Sequence, residues 1–182
     1  MSWSRRRVLK TGAAFAGVSA LGLLAATAQA LESAPKRIAL LNLHTNERVD
    51  VEYFRDGRYL TDALKQIEGV LKDFRSGEQH PIDPKLMDYL VEVANTVGGA
   101  ASFSVISGYR SPQTNARLRE HSTGVAQHSL HMEGRAIDVR MAGVDCAKLA
   151  AHAEDLKRGG VGYYRASDFV HLDTGAFRTW KG

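Results

Sequence analysis

The chain has one cysteine, Cys146, so it cannot close an intramolecular disulfide or build a zinc site on thiolate pairs. It has no apolar run of the ~20 residues that a membrane helix needs, the longest candidate being Ala13 to Ala26. It has no internal repeat and no low-complexity tract, which excludes solenoids and disordered arrays. It also lacks a basic excess where one would matter. The formal net charge is +4, but Arg5, Arg6, Arg7 and Lys10 are the only charges in the first 30 residues, and removing them leaves zero. The high isoelectric point therefore belongs to the N-terminal segment, and no nucleic-acid partner follows from it.

That segment reads as an address. Ser4-Arg5-Arg6-Arg7-Val8-Leu9-Lys10 resembles a twin-arginine export signal, a mild Ala/Gly-rich apolar stretch follows, and Ala28-Gln29-Ala30 is a small-x-small cleavage site. The expectation is a signal peptide over 1–30, export to the periplasm, no membrane span after cleavage, and one domain over 31–182. About 150 residues suffice for a single real core.

Alternation and turn residues predict a hairpin from Arg37–Leu43 and Arg48–Phe54, with a second turn at Asp56-Gly57. Helical spacing runs from Leu60 to Phe74, and a second helix starts at Pro84, capped by Asp83. Gly98-Gly99 breaks it, and Ser102–Ser107 reads as a strand. Ser111 caps a helix from Pro112 to His121. A strand over Arg135–Met141, a helix over Asp145–Lys157, and a closing hairpin of Val161–Tyr164 and Phe169–Thr174 follow. Helices and antiparallel strands fall in separate blocks, so the class is α+β, a small antiparallel sheet with helices.

The chemistry sits in Ser129-Leu-His131-Met-Glu-Gly134-Arg-Ala136-Ile-Asp138 and Asp168-Phe-Val-His171-Leu-Asp173. Two imidazoles and a carboxylate, His131, Asp138 and His171, suit a zinc ion with an open fourth position. His131 is expected on the loop leading into a strand, Asp138 within that strand, and His171 on a neighbouring strand. A base is also needed to take a proton from water. Asp168 and Asp173 are both candidates, and each could instead orient an imidazole. Arg110, in a turn before a helix, could clamp a carboxylate or stabilise an oxyanion. His128 reads as a surface residue near the site, and Cys146 as a small buried residue of a helix. His44, His80, His121 and His152 read as exposed.

Ser107-Gly108-Tyr109-Arg110-Ser111-Pro112, Ser129-x-His131-x-x-Gly134-x-Ala136-x-Asp138 and Asp168-x-x-His171 together resemble the D-Ala-D-Ala metallopeptidase family. That family includes VanX- and VanY-like peptidases and belongs with lysostaphin and sonic hedgehog. The likeness covers essentially all of 31–182, and it is finer toward the exported murein endopeptidases, through Leu41–Thr45, Gly160–Tyr164 and Phe169–Gly175. It implies the hedgehog/D-Ala-D-Ala peptidase fold, one zinc on His131, Asp138 and His171, and a substrate-anchoring role for Arg110. Asp168 holds the position of the family's general-base glutamate, with a shorter reach, and Asp173 stays its rival.

The implied activity is hydrolysis of peptide cross-links in peptidoglycan, between two diaminopimelate residues and also from D-Ala to diaminopimelate, during wall growth. The partner is the peptidoglycan stem peptide, and a monomer suffices. Two rivals stand beside it: a D-Ala carboxypeptidase or dipeptidase, and a non-catalytic zinc-containing peptidoglycan-binding protein.

Overall fold

Alternation along the strands decides what faces what. In β5 (Ala136–Met141), Ile137, Val139 and Met141 point into the apolar core, while Ala136, Asp138 and Arg140 point to the opposite face. The same period splits β7 (Phe169–Asp173) into core residues Val170 and Leu172 and opposite-face residues Phe169, His171 and Asp173.

A computed structural model of the chain describes residues 34–122 and 124–182, and the expected signal peptide lies outside them. The remaining strands are β1 (Lys36–Asn42), β2 (Arg48–Arg55), β3 (Arg58–Tyr59), β4 (Ser102–Ser107), β6 (Gly160–Tyr164) and β8 (Arg178–Lys181). The helices are α1 (Thr61–Val70), α2 (Pro84–Val97), α3 (Pro112–His121) and α4 (Cys146–Leu156). The strands form one sheet in the order β3-β2-β1-β4-β5-β7-β6-β8. The α+β class is as expected. The hairpins pair antiparallel, but β1 pairs parallel with β4, and β6 pairs parallel with β8. Those two parallel junctions, and β8 itself, were not read from the sequence.

Helix α2 lays Leu86, Met87, Tyr89, Leu90, Val93 and Ala94 on the core, and α4 lays Leu149, Ala150 and Ala153 there. Each large apolar side chain so buried contributes ~1.5–3 kcal/mol relative to exposure. Tyr89 Oη donates to the carbonyl of Ala153 at 3.0 Å and ties the two helices together. Two caps are those expected, Asp83 accepting from Lys85 N and Ser111 from Thr114 N, while Asp145, expected inside the fourth helix, caps it by accepting from Ala147 N and Lys148 N. No helix among the described residues is long and apolar enough to cross a membrane.

Helix α1 ends at Val70, four residues before the periodicity fades at Phe74. Local hydrogen bonding wins over periodicity here. The carbonyl of Leu71 accepts from Tyr109 N at 2.7 Å, and Asp73 turns inward to accept from Ser111 N and Ser111 Oγ at 2.9 and 2.8 Å. The chain leaves the helix to hold the turn that carries Arg110.

A 3₁₀ turn, Leu130–Glu133, precedes β5 and ends on Gly134 at φ 65°. A Cβ on Gly134 would lie 2.1 Å from the Pro81 carbonyl oxygen. Left-handed backbone alone costs an L-residue ~1–2 kcal/mol, and here a backbone clash adds to it. Gly134→Ala is expected to destabilise the fold by more than ~2 kcal/mol in denaturant titration. Unchanged stability would show that the turn relaxes freely.

Candidate metal centre

The register of three strands assembles the site. Asp138 of β5 pairs directly with His171 of β7, and His171 pairs with Gly162 of β6. Directly paired residues share a face, so the Asp138 carboxylate and the His171 ring meet side by side. The 3₁₀ turn brings His131 over them. Its rim is tied down by the carbonyl of Gly134, which accepts from Asp83 N at 2.9 Å, and by Arg135, which donates to the Thr174 carbonyl at 2.7 Å.

One donor atom from each of His131, Asp138 and His171 lies within 4.8 Å of the others. His131 Nε2 is 3.2 Å from His171 Nδ1 and 3.3 Å from Asp138 Oδ1, and His171 Nδ1 is 2.9 Å from that oxygen. Tetrahedral zinc with ligand distances of ~2.0–2.2 Å holds neighbouring donors ~3.3–3.5 Å apart. The observed spacing is slightly tighter and of the right size. The sequence expectation for where these three residues lie matches the structure.

The tautomers are set from outside the cluster. His131 Nδ1 faces the Gly108 carbonyl at 2.7 Å, and only an N–H can donate there. Its Nε2 therefore turns a lone pair inward. His171 Nε2 lies 3.0 Å from Asp173 Oδ2, and an N–H donated there frees Nδ1 to turn a lone pair inward once a metal takes the place of its proton. Two lone pairs and a carboxylate oxygen then converge, an arrangement that repels itself unless a cation sits among them. The chemistry of the donor set fits a metal ion.

Electrostatics agree. Burial pushes the His131 pKa down and keeps the ring neutral. For Asp138, burial would raise the pKa, but the two histidines outweigh it and hold the carboxyl below its usual range. Burial likewise lowers His171, yet hydrogen bonds to Asp138 and Asp173 and their charges push it up to about 9. Without a metal, a proton on His171 fills the cation's place.

The site opens on a cavity of about 450 Å³. Arg110, His128, Tyr164, Phe169, Arg178 and Trp180 line it with the three donor residues. Arg110 comes from the Ser107–Ser111 turn, where a Cβ on Gly108 would meet the Leu71 carbonyl oxygen at 2.5 Å. Its Nη1 donates to Asn115 Oδ1 at 3.4 Å, while its Nε is buried without a partner. A buried unpaired donor costs ~1–3 kcal/mol, and more for a charged group.

The two base candidates lie elsewhere. Asp168 sits at φ 51° in the turn between β6 and β7 and does not line the cavity. Its side chain is 67% exposed and faces Arg140 at 3.7 Å, while its carbonyl accepts from Arg140 Nε. Asp173 is fully buried and saturated. It accepts from His171 Nε2, Gly160 N, Gly175 N and both terminal nitrogens of Arg178. The structure thus brings neither to the cavity as a free carboxylate, and among the described cavity-lining residues Asp138 is the one acid.

Other placements are mixed. Cys146 opens α4 and is buried, and His128 is exposed at the cavity wall, both as read. His44 and His121 are exposed, but His80 and His152 are half-buried, because His80 stacks on Tyr109 at 4.7 Å and α4 turns His152 partly inward. Sequence reasoning missed Arg178, Trp180 and Asp73. Only the short alternation Arg178-Thr179-Trp180-Lys181 hinted at a strand there.

Comparison with known proteins comes to the same place. A family described as peptidoglycan L,D-endopeptidase MepK matches residues 30–180. A Haemophilus influenzae protein named probable peptidoglycan L,D-endopeptidase MepK is 38% identical over 182 residues, 98% of this chain and 96% of its own. Peptidoglycan L,D-endopeptidase MepK of Escherichia coli K12, and its namesake in Shigella flexneri, are each 38% identical over 178 residues, 97% of both chains. No solved structure matches.

The raised pKa of His171 sets a pH dependence. A folded pKa above the ordinary 6.5 gives stability that is full below ~6.5 and is lost as pH rises through about 9. Metal-free protein should therefore lose thermal stability between pH 6.5 and 9. Zinc should abolish that loss, because it replaces the proton. Parallel curves with and without zinc would contradict the assignment.

Proposed function

The chain belongs to the peptidoglycan L,D-endopeptidase MepK family, and from that premise we propose a metal-dependent peptidase acting through His131, Asp138 and His171. It is a peptidoglycan endopeptidase, and its substrate places it outside the cytoplasm. The observation that carries the reading is the convergence of two imidazole nitrogens and one carboxylate oxygen at the floor of a cavity.

Zinc is the metal the donor set favours, since imidazole and carboxylate ligands with one open position are those of catalytic zinc. When bound, zinc supplies Lewis-acid polarisation of the scissile carbonyl and activation of water. The protein's own residues do the rest. Gly108 and Asp173 hold the imidazoles in one tautomer. Arg110, which lines the cavity, receives a substrate carboxylate or the developing oxyanion.

Asp173 is assigned to orientation, because its oxygens are already occupied by five donors. Asp168 is assigned to proton transfer, on its family position and its unsaturated, exposed carboxylate. That role requires the side chain to leave Arg140 and turn in past Phe169.

The bond proposed is the one between two diaminopimelate residues. Such a link joins an L-centre to a D-centre, in keeping with the L,D in the relatives' names. Delivery to the periplasm by the twin-arginine route is proposed on the motif over Ser4–Lys10.

The test is digestion of purified cross-linked muropeptides, read by chromatography and mass spectrometry. Wild type should release monomers from diaminopimelate-linked dimers, and His131→Ala should not. Asp168→Asn should lower kcat at unchanged zinc affinity, whereas Asp173→Asn should weaken zinc binding. Loss of terminal D-Ala alone would make the protein a carboxypeptidase. No product from folded, zinc-loaded protein would leave the binding role.

A further inference from the structure

Strand β8 reaches the metal centre without supplying a ligand. Arg178 is its first residue, and it grips Asp173 as a fork: Nη1 to Oδ1 at 3.1 Å and Nη2 to Oδ2 at 2.7 Å. The same Oδ2 accepts from His171 Nε2 at 3.0 Å. Gly160 N and Gly175 N close on Oδ1 at 3.0 and 2.8 Å. The carboxylate is therefore fixed in plane and in rotation, with one oxygen aimed at one ring nitrogen.

The chain leaves room for this fork. A Cβ on Gly160 would sit 2.4 Å from Asp173 Oδ2 and 2.5 Å from Arg178 Nη1. A second contact from β8 holds the ring face. Trp180 packs on His171 with centroids 5.1 Å apart, in space that a side chain on Gly162 would fill, since its Cβ would lie 2.4 Å from the indole.

We propose that Arg178 is a positioning residue that acts through Asp173 to hold His171 with Nδ1 toward the metal. The inference rests on the metal reading above. The guanidinium is what makes it specific. Two parallel N–H groups match the two oxygens of a carboxylate, and a lysine offers only a point charge. Without the fork, Gly160 N and Gly175 N still hold Oδ1, but Oδ2 keeps His171 Nε2 as its one partner, and the contact that distinguishes the two ring nitrogens loosens. Partners of metal-binding histidines typically change metal affinity 10–100-fold when removed.

The experiment is zinc affinity of the full chain by competition with a chromophoric chelator at one fixed pH. Arg178→Ala is expected to bind zinc ~10–100-fold more weakly, with the circular dichroism of the metal-free protein retained and its thermal midpoint lowered, since Asp173 loses its counter-ion. Arg178→Lys should recover part of the loss. Arg158→Ala, an exposed arginine paired with Glu92, should bind as wild type. If Arg178→Ala fails to fold, the lysine variant decides alone, and it should fall between wild type and His171→Ala. Wild-type affinity in the Arg178 variants would overturn the proposal, including the case where only KM for the muropeptide rises and Arg178 merely touches substrate. Wild-type affinity in His171→Ala would instead remove the ligand assignment on which the proposal stands.

Discussion

Mutual repulsion among three inward-facing electron pairs is the constraint on which this structure turns. His131 Nε2, His171 Nδ1 and Asp138 Oδ1 stand 2.9–3.3 Å apart. Each imidazole directs one N–H outward, His131 to the Gly108 carbonyl and His171 to Asp173. Nothing in the fold relieves that crowding except a cation at the centre. A proton on His171 does so partially, and a divalent ion does so for all three at once. The rest of the architecture serves to keep the three donors where they would otherwise not stay.

Most of that service comes from the sheet. Direct pairing of Asp138 with His171 fixes two donors by backbone hydrogen bonds rather than by flexible loops. Alternation sends the neighbours of both into the core, so neither strand can slip by one residue without burying the ligands and exposing Val139 and Val170. The turn at Gly108 links the two functions of the cavity. Its carbonyl orients His131, and two residues later Arg110 presents a buried N–H with no partner. Asp73 holds that turn from beneath through Ser111. Ligand geometry and substrate anchoring thus share one local support.

Most strands, the caps Asp83 and Ser111, and the three donors were legible because each depends on local pattern. Period-two alternation, Asp or Ser before Pro, and a short motif of histidine and aspartate are visible in a few residues. What was not legible depends on contacts between distant parts. Helix α1 stops at Val70 because Leu71 and Asp73 are needed by a turn nearly forty residues away. Asp173 shares a face with His171, as an i and i+2 pair in a strand should. Whether it served as base or orienter rested on Arg178, Gly160 and Gly175, whose convergence no spacing announces. Asp168 was named by family position, and the chain turn at φ 51° points it to Arg140. Strand β8 is four residues long and polar, and its parallel pairing with β6 leaves little trace in sequence.

X-ray absorption at the zinc edge of the zinc-loaded protein tests the central claim most directly. The account predicts one zinc per chain with nitrogen and oxygen donors at ~2.0–2.2 Å, scattering from two imidazoles, and no sulfur at ~2.3 Å. The imidazole scattering should drop by one ring in His171→Ala. A sulfur neighbour, or a spectrum that the His171 substitution leaves unchanged, would contradict a centre built on His131, Asp138 and His171.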